Sequence, residues 1–146
     1  MPKLIAALSM SLDGFVAGPD QTMKDPLGTG GEQLHEWAFA ATAWRQEHGL
    51  EGGADNADSA LVESLRARIG AGIMGRKMYS GGSGAWEDDP RDRGWWGEDP
   101  PFHHPVFVLT HHPREPLTDL QGGTRFTFVT DGIESALEQA FAADGR

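Results

Sequence analysis

Three short apolar runs, each stepping directly into a polar turn, constrain this chain more than any other feature. Ala71, Gly72, Ile73 and Met74 enter Gly75, Arg76 and Lys77; Val106, Phe107, Val108 and Leu109 enter Thr110, His111, His112 and Pro113; Phe126, Phe128 and Val129 enter Thr130, Asp131 and Gly132. Runs of this length, rich in β-branched and aromatic residues and bounded by glycine, proline and aspartate, read as strands. Where the run lacks polar alternation, the strand is covered on both faces. A further run of the same kind, Leu4, Ile5, Ala6, Ala7 and Leu8, predicts a strand placed centrally in the sheet. It is followed by Asp13-Gly14 and Gly18-Pro19, the turn signals of a mobile loop.

Helical patterns separate these runs. Leu34, Trp37, Ala41 and Trp44 recur at helical spacing and predict one helix ending near His48 and Gly49. Turn and cap residues at 55–58 precede Leu61, Leu65 and Ile69, which repeat every four residues and predict a second helix closed by Gly70 and Gly72. Asp131 and Glu134 have the spacing of a capping box, ahead of a third helix whose apolar face is Ile133, Ala136, Leu137, Ala140 and Phe141. Strands alternating with helices imply an α/β domain with a mostly parallel central sheet, read as one unit over residues 1–146. The chain ends directly after an amphipathic helix that should lead into another strand, so the expectation is a domain that continues beyond Arg146. Residues 81–105 form a long loop rich in glycine, proline and aspartate that carries Trp86, Trp95 and Trp96, suited to covering a planar ligand or a second subunit, whereas Trp37 and Trp44 fit the buried face of the first helix.

Charge and composition exclude several functions. Acidic residues outnumber basic ones 22 to 12, a formal net charge of -10, so the averaged field repels nucleic acid and anionic membranes. The absence of cysteine removes disulfides, thiolate metal sites and cysteine nucleophiles. With no apolar run of membrane-spanning length and no cleavable leader pattern, the expected location is the cytoplasm. The adjacent pairs His103-His104 and His111-His112 point their members to opposite sides of an extended chain, so no metal site is expected. Ser9, Ser11, Asp13 and His35 supply fragments of a hydrolytic triad without the strand-to-helix elbow that a serine hydrolase needs.

An anion-binding site is the chemistry that remains. Glycine at a strand end lets the backbone approach an anion, and Arg76 beside Gly75 offers a planar fork of donors with Lys77 next to it. Thr110 and His111 leave the neighbouring strand at the equivalent place, and ligands of open α/β sheets bind beyond the carboxyl ends of strands. The plainer alternative is that Arg76 and Lys77 are solvated residues after a strand and that His111 and His112 form a surface turn.

Taken in order, Ser-Leu-Asp-Gly-Phe-Val-Ala-Gly at 11–18, Ile-Met-Gly-Arg-Lys-Met-Tyr at 73–79, Pro-Val-Phe-Val-Leu-Thr-His-His-Pro at 105–113 and Phe-Val-Thr-Asp-Gly-Ile-Glu-Ser-Ala-Leu at 128–137 resemble one family. It is the dihydrofolate-reductase-like group that includes the reductase domain of the bifunctional riboflavin-biosynthesis deaminase-reductase. The resemblance implies a three-layer α/β sandwich lacking its C-terminal strands, and an NADPH-dependent reductase of a small heterocycle, similar to the phosphoribosylaminouracil reductases and to dihydrofolate reductase. It also implies that Ala7, Asp13 and Gly14 border the nicotinamide, and that Gly75, Arg76 and Lys77 meet the adenosine-side phosphate. Leu109, Thr110 and His111 then lie beside them, with Asp131 after a strand that runs along the cofactor. Dihydrofolate reductases carry a carboxylate on the first helix; the matching register here falls near Leu34, which leaves Glu32 or Glu36 as the substitute, with Glu36 and Trp37 as the substrate-side positions, and the mismatch argues against folate. The alternatives are a non-catalytic relative that retains the fold for ligand binding or dimerisation, and a flavodoxin-like binding protein. A homodimer is expected from the exposed tryptophans and an incompletely covered sheet.

Overall fold

The computed structural model describes residues 3–82, 84–86 and 92–143. It divides into two compact units, Lys3–Arg68 and Ile69–Arg146.

The first unit is helical. A 3-10 turn at Gly31–Leu34 leads to the short helices α1 (Glu36–Phe39) and α2 (Thr42–Glu47), and α3 spans Ala57–Arg66. The single helix expected from Leu34 to His48 is therefore broken. The break has a backbone cause: Ala41 is extended, and a parallel bridge to Ala54 takes the Thr42 N–H and the Ala40 carbonyl out of the helical ladder. Trp44 then stacks on His48 with ring centroids 3.9 Å apart. Asn56 caps α3 by accepting from the amides of Asp58 and Ser59, as the turn residues at 55–58 predict. The helix ends at Arg66, so Ile69 lies beyond it, and Leu61 is exposed. The residue α3 buries is Ser59, whose hydroxyl accepts from the Ala43 amide at the start of α2.

The run from Leu4 to Leu8 forms no strand, contrary to expectation. Leu4, Ile5 and Leu8 are exposed at 68%, 45% and 80%. Apolarity marks a segment suited to burial but does not provide a hydrogen-bonding partner, and among the described residues the first unit has no strand to pair with it. Residues 11–15 instead close a local turn: Ser11 accepts from the Gly14 amide, and its hydroxyl donates to Asp13 and accepts from the Phe15 amide.

In the second unit, the three remaining apolar runs form the predicted sheet. Strands β1 (Gly72–Gly75), β2 (Pro105–Leu109) and β3 (Arg125–Val129) pair in parallel in the order β1-β2-β3. Register aligns Met74 with Val108 and Val108 with Phe128, so successive residues alternate between two covered faces. On one face Met74, Val106, Val108, Phe126 and Phe128 form a core with Tyr79 and Trp86. Tyr79 comes from α4 (Arg76–Ser80), a short helix that starts where β1 stops, and its ring meets Trp86, Phe126 and Phe128 edge to face. Gly94 allows the loop to close over this ring: a Cβ there would stand 2.9 Å from Tyr79. On the other face Phe107 and Val129 pack against Ala136 and Ala140 of α5 (Gly132–Ala143). The buried stripe of α5 is narrower than its periodicity suggests, because Ile133 and Phe141 are exposed. Leu117 closes the outer edge of β3 with an antiparallel bridge to Phe126.

The loop tryptophans separate by role. Trp86 is 8% exposed and belongs to the core, which removes it from the surface available to a flat ligand or a second subunit. Trp96 packs edge-on against Phe102, while Trp95 stays exposed. Of the long loop read from sequence, residues 83 and 87–91 lie outside the described residues.

Candidate functional site

Because the strands are parallel and in register, Gly75, Leu109 and Val129 end side by side. The chain leaves all three strands on one edge, and the exits enclose a pocket of about 390 Å³ lined by Gly75, Arg76, Lys77, Leu109, Thr110, His111, Val129, Thr130 and Gly132. That volume lies within the range of roughly 300–1,000 Å³ typical of small-molecule sites. Thr110 is buried and ties two exits together: its amide donates to the Val129 carbonyl at 3.1 Å, and its hydroxyl accepts from the His112 amide at 3.1 Å.

Among the described residues, the ionisable side chains of the lining are Arg76, Lys77 and His111, with no carboxylate, in a chain of net charge -10. Gly75 adds a second sign of ligand approach. Its φ of -82° and ψ of 161° suit any residue, and a Cβ there would meet nothing within 4 Å. The fold does not require glycine at this position, yet glycine leaves bare backbone on the pocket wall.

The Arg76 side chain does not reach openly into the pocket. Its guanidinium carbon sits 3.6 Å from the centroid of the Trp86 ring, one terminal nitrogen lies 3.4 Å from the Asp92 carboxylate, and another donates to the Ser80 hydroxyl. The side chain is 13% exposed. Burial lowers the pKa of this guanidinium from its ordinary value, and Asp92 opposes that shift. The Arg114 guanidinium also lies over Trp86, at 4.7 Å from the ring. Lys77 and His111 are exposed.

Six positions singled out from sequence thus share one pocket: Gly75, Arg76, Lys77, Leu109, Thr110 and His111. Asp131 is exposed and sits between the lining residues Thr130 and Gly132 without itself lining the pocket. Ala7, Asp13, Gly14, Glu36 and Trp37 belong to the first unit and are not lining residues. Ala7 and Glu36 are exposed, Asp13 and Gly14 form the turn at 11–15, and the Trp37 indole donates to Ser9 and to the Leu34 carbonyl. Sequence reasoning missed Val129, Thr130 and Gly132, although the strand-end rule that selected Thr110 applies equally to the third strand. It also missed Asp92, which no local pattern connects with Arg76.

Among the described residues, no group of three or more histidines and carboxylates is placed to hold a metal ion, and no helix is long and apolar enough to cross a membrane.

A parallel sheet with a pocket beyond the carboxyl ends of its strands defines an α/β protein with its candidate site where open α/β sheets place theirs. The comparison with protein families is more specific. The RibD C-terminal domain profile matches residues 2–140, and the chain belongs to that family, whose fold is dihydrofolate-reductase-like. The family is one of reductases of the riboflavin pathway, which are generally NADPH-dependent. No individual curated protein matches the chain significantly, so the assignment rests on the family profile.

Proposed function

We propose that this chain is an NADPH-dependent reductase of a small heterocycle, and that the strand-exit pocket receives the phosphate-bearing, adenosine half of the cofactor. The observation that carries this reading is the lining of the pocket: the first two strand exits supply Arg76, Lys77 and His111, and among the described residues no carboxylate lines it, against the strongly acidic balance of the whole chain. Such local reversal of sign is what an anionic ligand requires. The bare backbone at Gly75 and the polar exit at Thr110 and His111 fit the same group. Family membership supplies the reaction class, and the substrate most in keeping with it is a phosphoribosylated aminopyrimidine.

NADPH, when bound, supplies the hydride. The residues of the chain would bind and orient it: backbone at the three exits and the neighbouring Arg76 and Lys77 would hold the phosphate end, and that would fix where the remainder of the cofactor lies. Little acid–base machinery is required of the protein, in keeping with a pocket that no carboxylate lines among the described residues.

The test is a titration of the purified chain with NADPH, followed by nicotinamide fluorescence, with a parallel assay of NADPH consumption on the aminopyrimidine. Saturable binding with substrate-dependent oxidation is the expected result. Saturable binding without turnover of any heterocycle would favour the non-catalytic relative, and no binding would overturn the proposal.

A further inference from the structure

We propose that the Asp131-Gly132 pair at the third strand exit is a site of spontaneous backbone modification, where the chain isomerises to isoaspartate and so alters the wall of the pocket. The chemistry needs no ligand and does not depend on the cofactor reading above.

Aspartate followed by glycine favours this reaction, because glycine has no Cβ to hinder the approach of the carboxyl group to the next amide. The Gly132 nitrogen attacks Cγ of Asp131. An N–Cγ bond forms, and the amide proton leaves with the carboxyl hydroxyl as water, giving a five-membered succinimide. Water then opens the ring. Cleavage between the nitrogen and Cγ restores aspartate; cleavage between the nitrogen and the main-chain carbonyl carbon leaves the chain running through the Asp131 side chain, with the α-carboxylate as the branch. The water lost in closure is regained in opening, so the step needs neither oxidant nor reductant.

The sequence offers this pair at 13–14, 131–132 and 144–145, the last outside the described residues. The structure separates the other two. At Asp13 both reacting groups are tied: the carboxylate accepts from the Ser11 hydroxyl, and the Gly14 amide donates to the Ser11 carbonyl at 3.0 Å. Ring closure there has to break both bonds. Asp131 is exposed, and its carboxylate makes no hydrogen bond or ion pair among the described residues, although the spacing to Glu134 predicts a capping bond. Gly132 opens α5, where the first amides have no partner within the helix, and its N–H donates to no group among the described residues. A Cβ on Gly132 would meet nothing within 4 Å, so the ring has room to form.

The flanking residues Thr130 and Gly132 both line the pocket. Isomerisation inserts the Asp131 methylene into the main chain between them and lengthens the third exit by one carbon.

The experiment incubates the full chain at neutral pH in water enriched in heavy oxygen and follows the label by peptide mapping, since each ring opening incorporates one oxygen from water. Label and a β-linked isomer should accumulate at Asp131 roughly tenfold faster than at Asp13, the factor that one net hydrogen bond accounts for. Asp131→Glu, which keeps the charge but needs a larger ring, should remove the label at that position. Asp131→Asn should react faster than the wild type, releasing ammonia, and Ser11→Ala should raise the label at Asp13 while leaving Asp131 unchanged. Label at Asp131 no faster than at Asp13, or an Asp131→Asn chain that keeps its amide, would overturn the proposal. In aged protein, the fraction that binds NADPH with fresh-protein affinity should fall in step with the isomer. Isomerised chain of unchanged affinity would overturn the effect on the pocket. Fresh protein that binds no NADPH would remove the cofactor reading, while the label at Asp131 still decides the modification.

Discussion

Replacing Gly75 with alanine should raise the stability of the protein and lower its affinity for the cofactor, and those opposite signs make the change informative. At φ -82° and ψ 161° an alanine is unstrained, and the added Cβ meets no atom within 4 Å. The folded state therefore loses nothing, while the unfolded chain loses conformational freedom, a gain of about 0.4–1 kcal/mol. The same methyl stands on the pocket wall, where glycine now leaves the backbone bare. A phosphate held off by that methyl loses the better part of one charge-assisted hydrogen bond, about 1.5 kcal/mol or roughly a tenfold weaker Kd. Denaturant unfolding with an unchanged m-value measures the first quantity, and nicotinamide fluorescence the second. Wild-type affinity in Gly75→Ala would refute close backbone approach at this strand end. A destabilised variant would refute the claim that the position is open.

Two further outcomes follow from the packing. Tyr79 is the only tyrosine in the chain; it is fully buried, and burial pushes its phenol pKa up to about 12, from an ordinary value near 10. The native state holds this proton more tightly than the unfolded state, so the stabilisation is complete below about pH 10 and lost as pH rises toward 12, on the order of 2–3 kcal/mol. An ultraviolet tyrosinate titration reads this group alone, and a midpoint at the ordinary value would contradict the burial argument. Thr124 is fully buried; its hydroxyl donates to the Pro100 carbonyl at 2.9 Å and accepts from the His103 amide at 3.0 Å. Thr124→Val keeps the shape but strands a carbonyl against buried Pro100, at a cost of about 2 kcal/mol, whereas Thr124→Ser should cost about half as much. Equal denaturation midpoints for the two variants would show that the hydrogen bonds are not what holds the loop onto β3.

How far the sequence can be read depends on whether a feature is local. The strands at 71–74, 106–109 and 126–129 were legible because four or five apolar residues bounded by turn formers have few other ways to be buried, and the structure aligns them in parallel. The cap at Asn56 was legible because a capping side chain bonds amides two and three residues away. The apolar run at residues 4–8 carried the same signal and formed no strand, since strand formation depends on a partner that lies elsewhere in the chain. The predicted helix from Leu34 to His48 broke for a related reason: Ala54, more than a turn of sequence away, bridges to Ala41 and diverts the backbone hydrogen bonds on either side of it.

At the pocket the boundary falls between two adjacent residues. The sequence by itself pointed to the strand exits at Gly75 and Thr110 as the candidate site and placed basic residues there, because strand ends and charge are written residue by residue. It also determined the family, through the order of its motifs along the chain. Only the tertiary structure decided that Arg76 turns inward while Lys77 stays exposed. The partners that hold Arg76, Trp86 and Asp92, reach it across a loop whose spacing has no periodicity to read. A side chain's direction is set by the contacts that satisfy it, and contacts made at long range along the chain leave no local trace in it.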